Sequence, residues 1–378
     1  MDPRTVADPA MGRSPDVATG RMAGTAWLDL SQDVVTLTAT VCDIESVSFD
    51  EGRLADAVEG ALRPLAWLRV VRDGHTVVAS TDLGRPERVV IAGHLDTVPL
   101  TVPANLPTTR VGDELWGRGT VDMKGGIAVA LRLAHLLESP CRDVTYIFYD
   151  AEEVAAEFNG LGRLAARRPD LLKADFAVLM EPTGGLIEGG CKGTLRAHVT
   201  TTGIAAHSAR PWKGHNAIHD AGEVLVRLGA YQPRTVDVEG LTYHEALNAV
   251  QITGGVAGNV IPDRCVVTVN YRYAPDLAPE DAEAHVREVF AGFELTVADN
   301  APGARPGLDL PAARDFVTAL GVLVGPKEGW TDVARFSALG IPAVNYGPGD
   351  PSLAHHDEER CPVHQLRAAE AAMIRWLS

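Results

Sequence analysis

"DVTYIFYDAEE", residues 143–153, is the stretch that decides the fold. Val144 to Tyr149 is a nearly unbroken apolar run of β-branched and aromatic side chains, the pattern of a strand buried on both faces. It stops abruptly at Asp150, Glu152 and Glu153. Strands of this kind belong to parallel sheets covered by helices, and the loops at their carboxyl ends converge on one crevice. Three carboxylates placed there repel one another unless a positive charge lies among them.

The same texture recurs on both sides. "ERVVIAGHLD" (87–96) and "ADFAVLMEPT" (174–183) read as further buried strands, while "GGIAVALRLAHLLES" (125–139) and "LGRLAARRPDLL" (161–172) read as helices. Near the C-terminus "TDVARFSALG", "IPAVNYGPG" and "LRAAEAAMIRWLS" repeat the alternation. Between them the pattern changes. "GTLRAHVTTTG" alternates like a half-exposed strand, then come a helix, two strands ("LNAVQITGG", "CVVTVNYRYAP"), the helix "PEDAEAHVREVFAGF" and the strand "ELTVAD". That order is β-α-β-β-α-β, the ferredoxin-like arrangement. The sequence thus predicts an α/β domain with a mostly parallel sheet over 27–191 and 305–378, interrupted by a small α+β domain over 192–304.

Composition narrows the class. The chain has 378 residues, 46% hydrophobic and 22% charged, enough for a full core and two domains. No apolar run reaches the length of about 18 residues that a membrane helix needs. Residues 1–26 are rich in Pro, Gly, Asp and Arg without an apolar segment and read as a disordered extension, with Met22 an alternative start. Five cysteines, Cys42, Cys141, Cys191, Cys265 and Cys361, are odd in number and form no CxxC pair, which predicts free thiols and a cytoplasmic setting. A formal net charge of −16 disfavours nucleic acid or an anionic membrane as partner.

Chemistry gathers where the apolar strands end. One ends at His94 and Asp96, the next at Glu152 and Glu153, the next at Glu181, and the last feeds a loop with His355 and His356. His94 and Asp96 are two apart, so in extended backbone they point the same way, and Asp96 is placed to accept the second ring N–H of His94. Asp122 stands just before a helix. Each of these has an ordinary explanation alone, a cap or a turn or a solvated helix start. Together they form a cluster of carboxylates and imidazoles without cysteine that calls for cations. Two divalent ions would neutralise it, and mixed imidazole and carboxylate donors suit zinc, with cobalt or manganese as substitutes.

In "GHLDTVP" (93–99), "GRGTVDMKGG" (117–126), "DAEEV" (150–154), "MEPT" (180–183), "GIAAHSARPWKGHNAIH" (203–219) and "NYGPGDPSLAHHDEERCP" (345–362), the chain from about residue 27 onward resembles the M20 family of zinc-dependent amidohydrolases and peptidases. The resemblance implies a zinc-peptidase-like catalytic domain with an inserted dimerisation or lid domain. It implies one zinc on His94, Asp122 and Glu181 and a second on Asp122, Glu153 and His355. Asp96 would orient His94, and Glu152 would be the general base. The family pattern of a His followed four residues later by Glu selects His355, with Glu359, over His356. His207 matches a histidine that reaches across a homodimer to stabilise the oxyanion.

The expected reaction is hydrolysis of an N-acyl amide of a small amino acid, N-succinyl-LL-2,6-diaminopimelate before acetylornithine or a simple acylamino acid. Such a substrate carries several carboxylates, which a protein of net charge −16 repels at long range, so local cations are needed. Lys192, Arg210 and Arg272 are the candidates, Arg272 foremost because the family places an Arg there and a guanidinium grips carboxylate with two bonds. Asn259 and Thr331 match further polar contacts. A nucleotide-dependent oxidoreductase is disfavoured, because "GRGTVD" puts Asp122 where the third glycine of the dinucleotide fingerprint belongs. A catalytically dead metal binder is disfavoured by the retention of Glu152.

Overall fold

The computed structural model describes residues 27–378, so the extension expected over 1–26 lies outside the described residues. Eight strands form the main sheet, in the order Arg69–Asp73, Thr76–Ser80, Asp143–Tyr149, Arg88–His94, Phe176–Leu179, Ala343–Asn345, Ile187–Gly189 and Val324–Pro326. The four central strands run parallel, from Asp143–Tyr149 to Ala343–Asn345. The hairpin Arg69–Ser80 adds two antiparallel strands at one edge, and Ile187–Gly189 joins the other side antiparallel.

Alternate side chains of each central strand enter opposite cores, which is why these strands read as continuous apolar runs. Val89, Ile91, Tyr146 and Phe148 pack under the helices Val34–Asp43, Lys124–Leu136, Pro311–Leu320 and Val363–Leu377. Val90, Ala92, Ile147 and Tyr149 pack under Gly160–Arg167 and Val333–Ala338. Local signals set the helix ends: Asp33, Asn159 and Asn216 each cap a helix by accepting main-chain N–H groups, and Gly321 closes Pro311–Leu320 in the left-handed conformation.

The second sheet is antiparallel, in the order Ala246–Gly254, Arg264–Tyr273, Gly193–Thr202 and Glu294–Ala301. With the helices Ala217–Ala230 and Pro279–Val289 it has the expected β-α-β-β-α-β order. The helices cover one face, where Leu195, Ala197, Val199, Val267 and Tyr271 are buried. The opposite face carries Thr194, Arg196, Asn270 and Arg272. An additional hairpin, Thr235–Val238 with Leu241–His244, was not expected. Its two-residue turn is Glu239-Gly240, both at positive φ, and a glutamate there lacks the Asn-Gly or Asp-Gly signature that flags such turns. Among the described residues no helix is long and apolar enough to cross a membrane.

One close approach positions the centre described next. Gly126 lies in the first turn of Lys124–Leu136, and a Cβ there would sit 2.1 Å from the main-chain oxygen of Met180. Only a glycine lets this helix start reach the end of Phe176–Leu179, and that approach brings Asp122 beside Glu181. Gly126→Ala is therefore expected to lower stability by about 1–3 kcal/mol through overpacking. Gly222→Ala, in a helix with nothing within 4 Å of the added atom, is expected to raise it by up to about 1 kcal/mol. Urea unfolding of the two variants checks both signs.

Candidate metal centre

His94 closes the strand Arg88–His94 and is buried. Its Nδ1 lies 3.0 Å from the main-chain oxygen of Asp96 and its Nε2 lies 3.1 Å from Asp122 Oδ1. The Asp96 carboxylate is farther from the ring, at 3.5 Å. This corrects the expected contact: the strand has ended at His94, and the carbonyl of Asp96, rather than its carboxylate, is the nearer partner. A carbonyl only accepts, so Nδ1 carries the proton that it donates. Nε2 then faces a carboxylate oxygen, an arrangement that needs a proton or a metal cation between them.

The Asp96 carboxylate instead holds the neighbouring loop. It accepts the N–H groups of Glu152 and Glu153 at 3.0 and 3.1 Å and the hydroxyl of Ser48 at 2.8 Å. Glu51, which the sequence pattern did not flag, accepts the N–H of Ala151 at 3.2 Å. The loop that carries both glutamates is thus pinned through its own backbone. Asp150 leaves the cluster altogether: it accepts from Thr76 at 2.7 Å and from Arg163 at 2.6 Å. Of the three acids that end the deciding strand, two enter the centre and one is neutralised on its far side.

Asp122 presents one oxygen to each side. Oδ1 faces His94, and Oδ2 lies 3.3 Å from His355 Nε2, which also contacts Glu153 Oε1 at 2.9 Å. The loop before it is held by buried Glu359, which accepts the N–H groups of Val121 and Asp122 at 2.9 and 3.1 Å and pairs with Arg118 at 2.8 Å. Three sets of donors therefore come within 4.8 Å of one another: His94, Asp122 and Glu181; Asp122, Glu153 and His355; and His94, Glu152 and Glu153. The first two share Asp122. His356 belongs to none of these sets; it is exposed and its Nδ1 accepts the N–H of Glu358 at 3.1 Å.

The charges here are under strain. Burial, and then the neighbouring Asp122, pushes Glu181 up to about 7. Burial, with Asp332, Glu181 and Glu153 adding to it against the opposing pull of His94, pushes Glu152 well above the carboxylate range. Burial pulls His94 down, but the carboxylates of Asp122 and, at 3.5 Å, Asp96 outweigh that and leave it well above the ordinary imidazole value. Hydrogen bonds to Asp122 and Glu153 carry His355 up to about 10. Without cations the cluster holds together only by gaining protons.

The residues singled out for substrate lie farther out. Lys192 is buried and committed to Glu328 Oε2 and the carbonyl of His244, both at 2.5 Å. Arg272 is half-buried and donates to Asn270 at 3.0 Å; Arg210 is exposed and has no ion pair among the described residues. Thr331 is buried and donates to Asn345 at 3.1 Å, whereas Asn259 is exposed, its carbonyl accepting from Ser208 at 2.9 Å. His207 is exposed on the short strand Ala206–His207, and its Nδ1 accepts the N–H of Ala209 at 3.1 Å. Within one chain it joins none of the donor sets.

Residues 90–378 match the model of peptidase family M20/M25/M40. A Mycobacterium tuberculosis protein assigned as a succinyl-diaminopimelate desuccinylase is 54% identical over 353 residues, covering 93% of this chain and 99% of that protein. The succinyl-diaminopimelate desuccinylase of Corynebacterium glutamicum is 44% identical over 362 residues, covering 93% and 98%. Among solved structures, a tripeptidase from Staphylococcus aureus superposes with a TM-score of 0.75 at 19% identity over 94% of this chain and 98% of its own, a likeness of fold.

The protonation pattern makes a prediction for the ion-free protein. A carboxyl raised to about 7 in the fold and ordinary when unfolded contributes stability at acid pH that is lost as pH rises through 7. The imidazole raised to about 10 contributes stability that is complete below its unfolded value and is lost as pH rises through 10. Chelator-treated protein is expected to lose melting temperature from pH 5 to pH 9. Added zinc, which needs deprotonated donors, is expected to stabilise more at pH 8 than at pH 5. Scanning calorimetry reads both, and Glu181→Gln should flatten the segment between pH 5 and 7.

Proposed function

The chain belongs to peptidase family M20/M25/M40, and from that membership we infer that it is a metal-dependent amidohydrolase that converts N-succinyl-LL-2,6-diaminopimelate to succinate and LL-2,6-diaminopimelate. The substrate assignment rests on the near full-length similarity to the two actinobacterial desuccinylases. The reading of the centre rests on one observation, the Asp122 carboxylate facing His94 with one oxygen and His355 with the other.

His94, Asp122 and Glu181 would hold one ion and Asp122, Glu153 and His355 the other, with zinc the expected metal and cobalt or manganese as substitutes. The donors fit such a pair: two imidazoles, three carboxylates, no thiolate, and a nitrogen and an oxygen already facing each other. When bound, the two ions supply Lewis-acid polarisation of the amide carbonyl and acidify the attacking water. Glu152 takes the proton of that water and passes it to the leaving nitrogen. Its burial raises its proton affinity, which suits it to taking a proton from that water, and the leaving amine is a stronger base still and accepts the proton in turn. Asp96, through its carbonyl, keeps the His94 Nε2 lone pair aimed inward.

The division into a catalytic part, 27–191 with 305–378, and a lid over 192–304 belongs to the same proposal, as does a homodimer formed through that lid. The outer strand Ala246–Gly254 is an open sheet edge that exposes Val250 and Ile252, and the adjoining helix exposes Leu225 and Val226. Open edges with apolar side chains are covered by partners. In such a dimer His207, exposed and with only its Nδ1 engaged by the N–H of Ala209, would present its Nε2 to the partner's substrate carbonyl. Arg272, Arg210, Lys192, Asn259 and Thr331 would line the path of the substrate. Five free cysteines fit a reducing cytoplasm.

The test is amine release from N-succinyl-LL-2,6-diaminopimelate beside N-acetylornithine, with and without chelator. Chelator-sensitive turnover of the succinyl compound is the expected result; turnover of the acetyl compound alone would overturn the substrate assignment. Glu152→Gln is expected to keep the metal and the fold while losing at least about 100-fold in kcat. His355→Ala should bind one metal fewer per chain and His356→Ala should not, read by elemental analysis. His207→Ala is expected to lower kcat with metal content unchanged.

A further inference from the structure

A cavity of about 520 Å³ runs from Glu152 into the seam between the two sheets. One wall is the main domain, with Glu157, Trp330 and Arg335; the other is the bare face of the inserted sheet, with Arg196 and Asp299. Neither guanidinium was among the residues singled out for substrate. Arg335 is fixed in place. Its Nε donates to buried Asp332 at 2.5 Å, its guanidinium lies 5.4 Å from the Trp330 ring centre, and a Cβ on Gly162 would lie 2.7 Å from its Nη1. Its terminal nitrogens make no hydrogen bond among the described residues.

Arg196 faces it from the other side. It lies opposite Asp299 on one neighbouring strand and Asn270 on the other, yet it makes no ion pair among the described residues. Arg272 shares its face, two residues beyond Asn270. A protein of net charge −16 that leaves Arg196 without an ion pair, and the terminal nitrogens of Arg335 without a hydrogen bond, among the described residues of one seam has room there for a carboxylate from outside. Glu157 and Asp299 line the same cavity, so it offers both signs of charge. Such a lining suits a zwitterion better than a simple anion or an apolar acyl chain.

The inference rests on the desuccinylase reading, which puts the scissile amide at Glu152. Diaminopimelate ends, away from its succinylated nitrogen, in an α-amino-acid group with one carboxylate and one ammonium. We propose that Arg196 and Arg335 grip this far carboxylate from opposite walls, with Glu157 and Asp299 beside the ammonium. The seam is then where the substrate's remote end is read. Lid and main domain each supply one guanidinium, so the grip is complete only when both walls face the same ligand.

The experiment uses Nα-succinyl-L-lysine, which has the same chain without the far carboxylate. On the metal-loaded protein, kcat/KM is measured for it and for N-succinyl-LL-2,6-diaminopimelate. The native protein is expected to prefer the diaminopimelate compound by about tenfold or more, the worth of a charge-assisted contact. Arg196→Gln, on an exposed strand position, should shrink that preference by about tenfold. Arg335→Lys, which keeps a cation beside Asp332 but loses the planar fork, should shrink it too. Equal losses on both compounds, or no native preference, would overturn the inference while leaving the desuccinylase reading intact. If the native protein hydrolyses neither, that reading fails and this one with it.

Discussion

One carboxylate shared between two imidazoles governs the main domain. Asp122 faces His94 and His355 at 3.1 and 3.3 Å, and these three residues come from a strand end, a helix entry and a loop near the C-terminus. Like charges resist such a gathering, so the fold must hold it by force elsewhere. The glycine approach of Lys124–Leu136 to Met180 is one such restraint, the grip of Glu359 on the backbone at 121–122 a second, and that of Asp96 on the backbone at 152–153 a third. Each restraint uses main-chain groups, which leaves the side chains of Asp122, Glu152 and Glu153 free to face inward. The region held by these long-range contacts is also one whose charges are strained, the usual signature of a functional site.

The inserted domain answers a different demand. Its helices seal one face of its sheet, and the other is left polar because it looks across a seam toward the centre. A face of this kind has no value to a monomeric α+β domain standing alone. It makes sense as one wall of a cavity whose other wall lies beside Glu152.

Much of this was legible in the sequence. Buried parallel strands announce themselves as unbroken apolar runs, so the central sheet, its ends at His94, Glu152 and Glu181, and the β-α-β-β-α-β order of the insertion could all be read before any coordinates. What escaped were features that periodicity does not encode. The turn at Glu239-Gly240 has a weak local signal, whereas the edge hairpin Arg69–Ser80 carries a clear one, Gly74-His75 between two Val-rich runs. The departure of Asp150 toward Arg163 depends on a helix packed across the strand, and the use of the Asp96 carbonyl depends on where a strand stops. Arg196 and Arg335 looked like any surface arginine until the two domains were set face to face.

The contact of Glu359 with residues 121–122 also orders events in time. The strand Arg360–Pro362 pairs with Glu114–Trp116, and together with Glu359 it ties the last part of the chain to the loop bearing Asp122. During synthesis, His94, Asp122 and Glu181 emerge long before His355, with the whole inserted domain translated in between. A nascent chain thus presents His94, Asp122, Glu153 and Glu181 before His355, which faces Asp122 and Glu153 in the finished fold, has been added. Residues near the C-terminus complete the cluster, and a product truncated before His355 carries Asp122 and Glu153 without the imidazole that faces them.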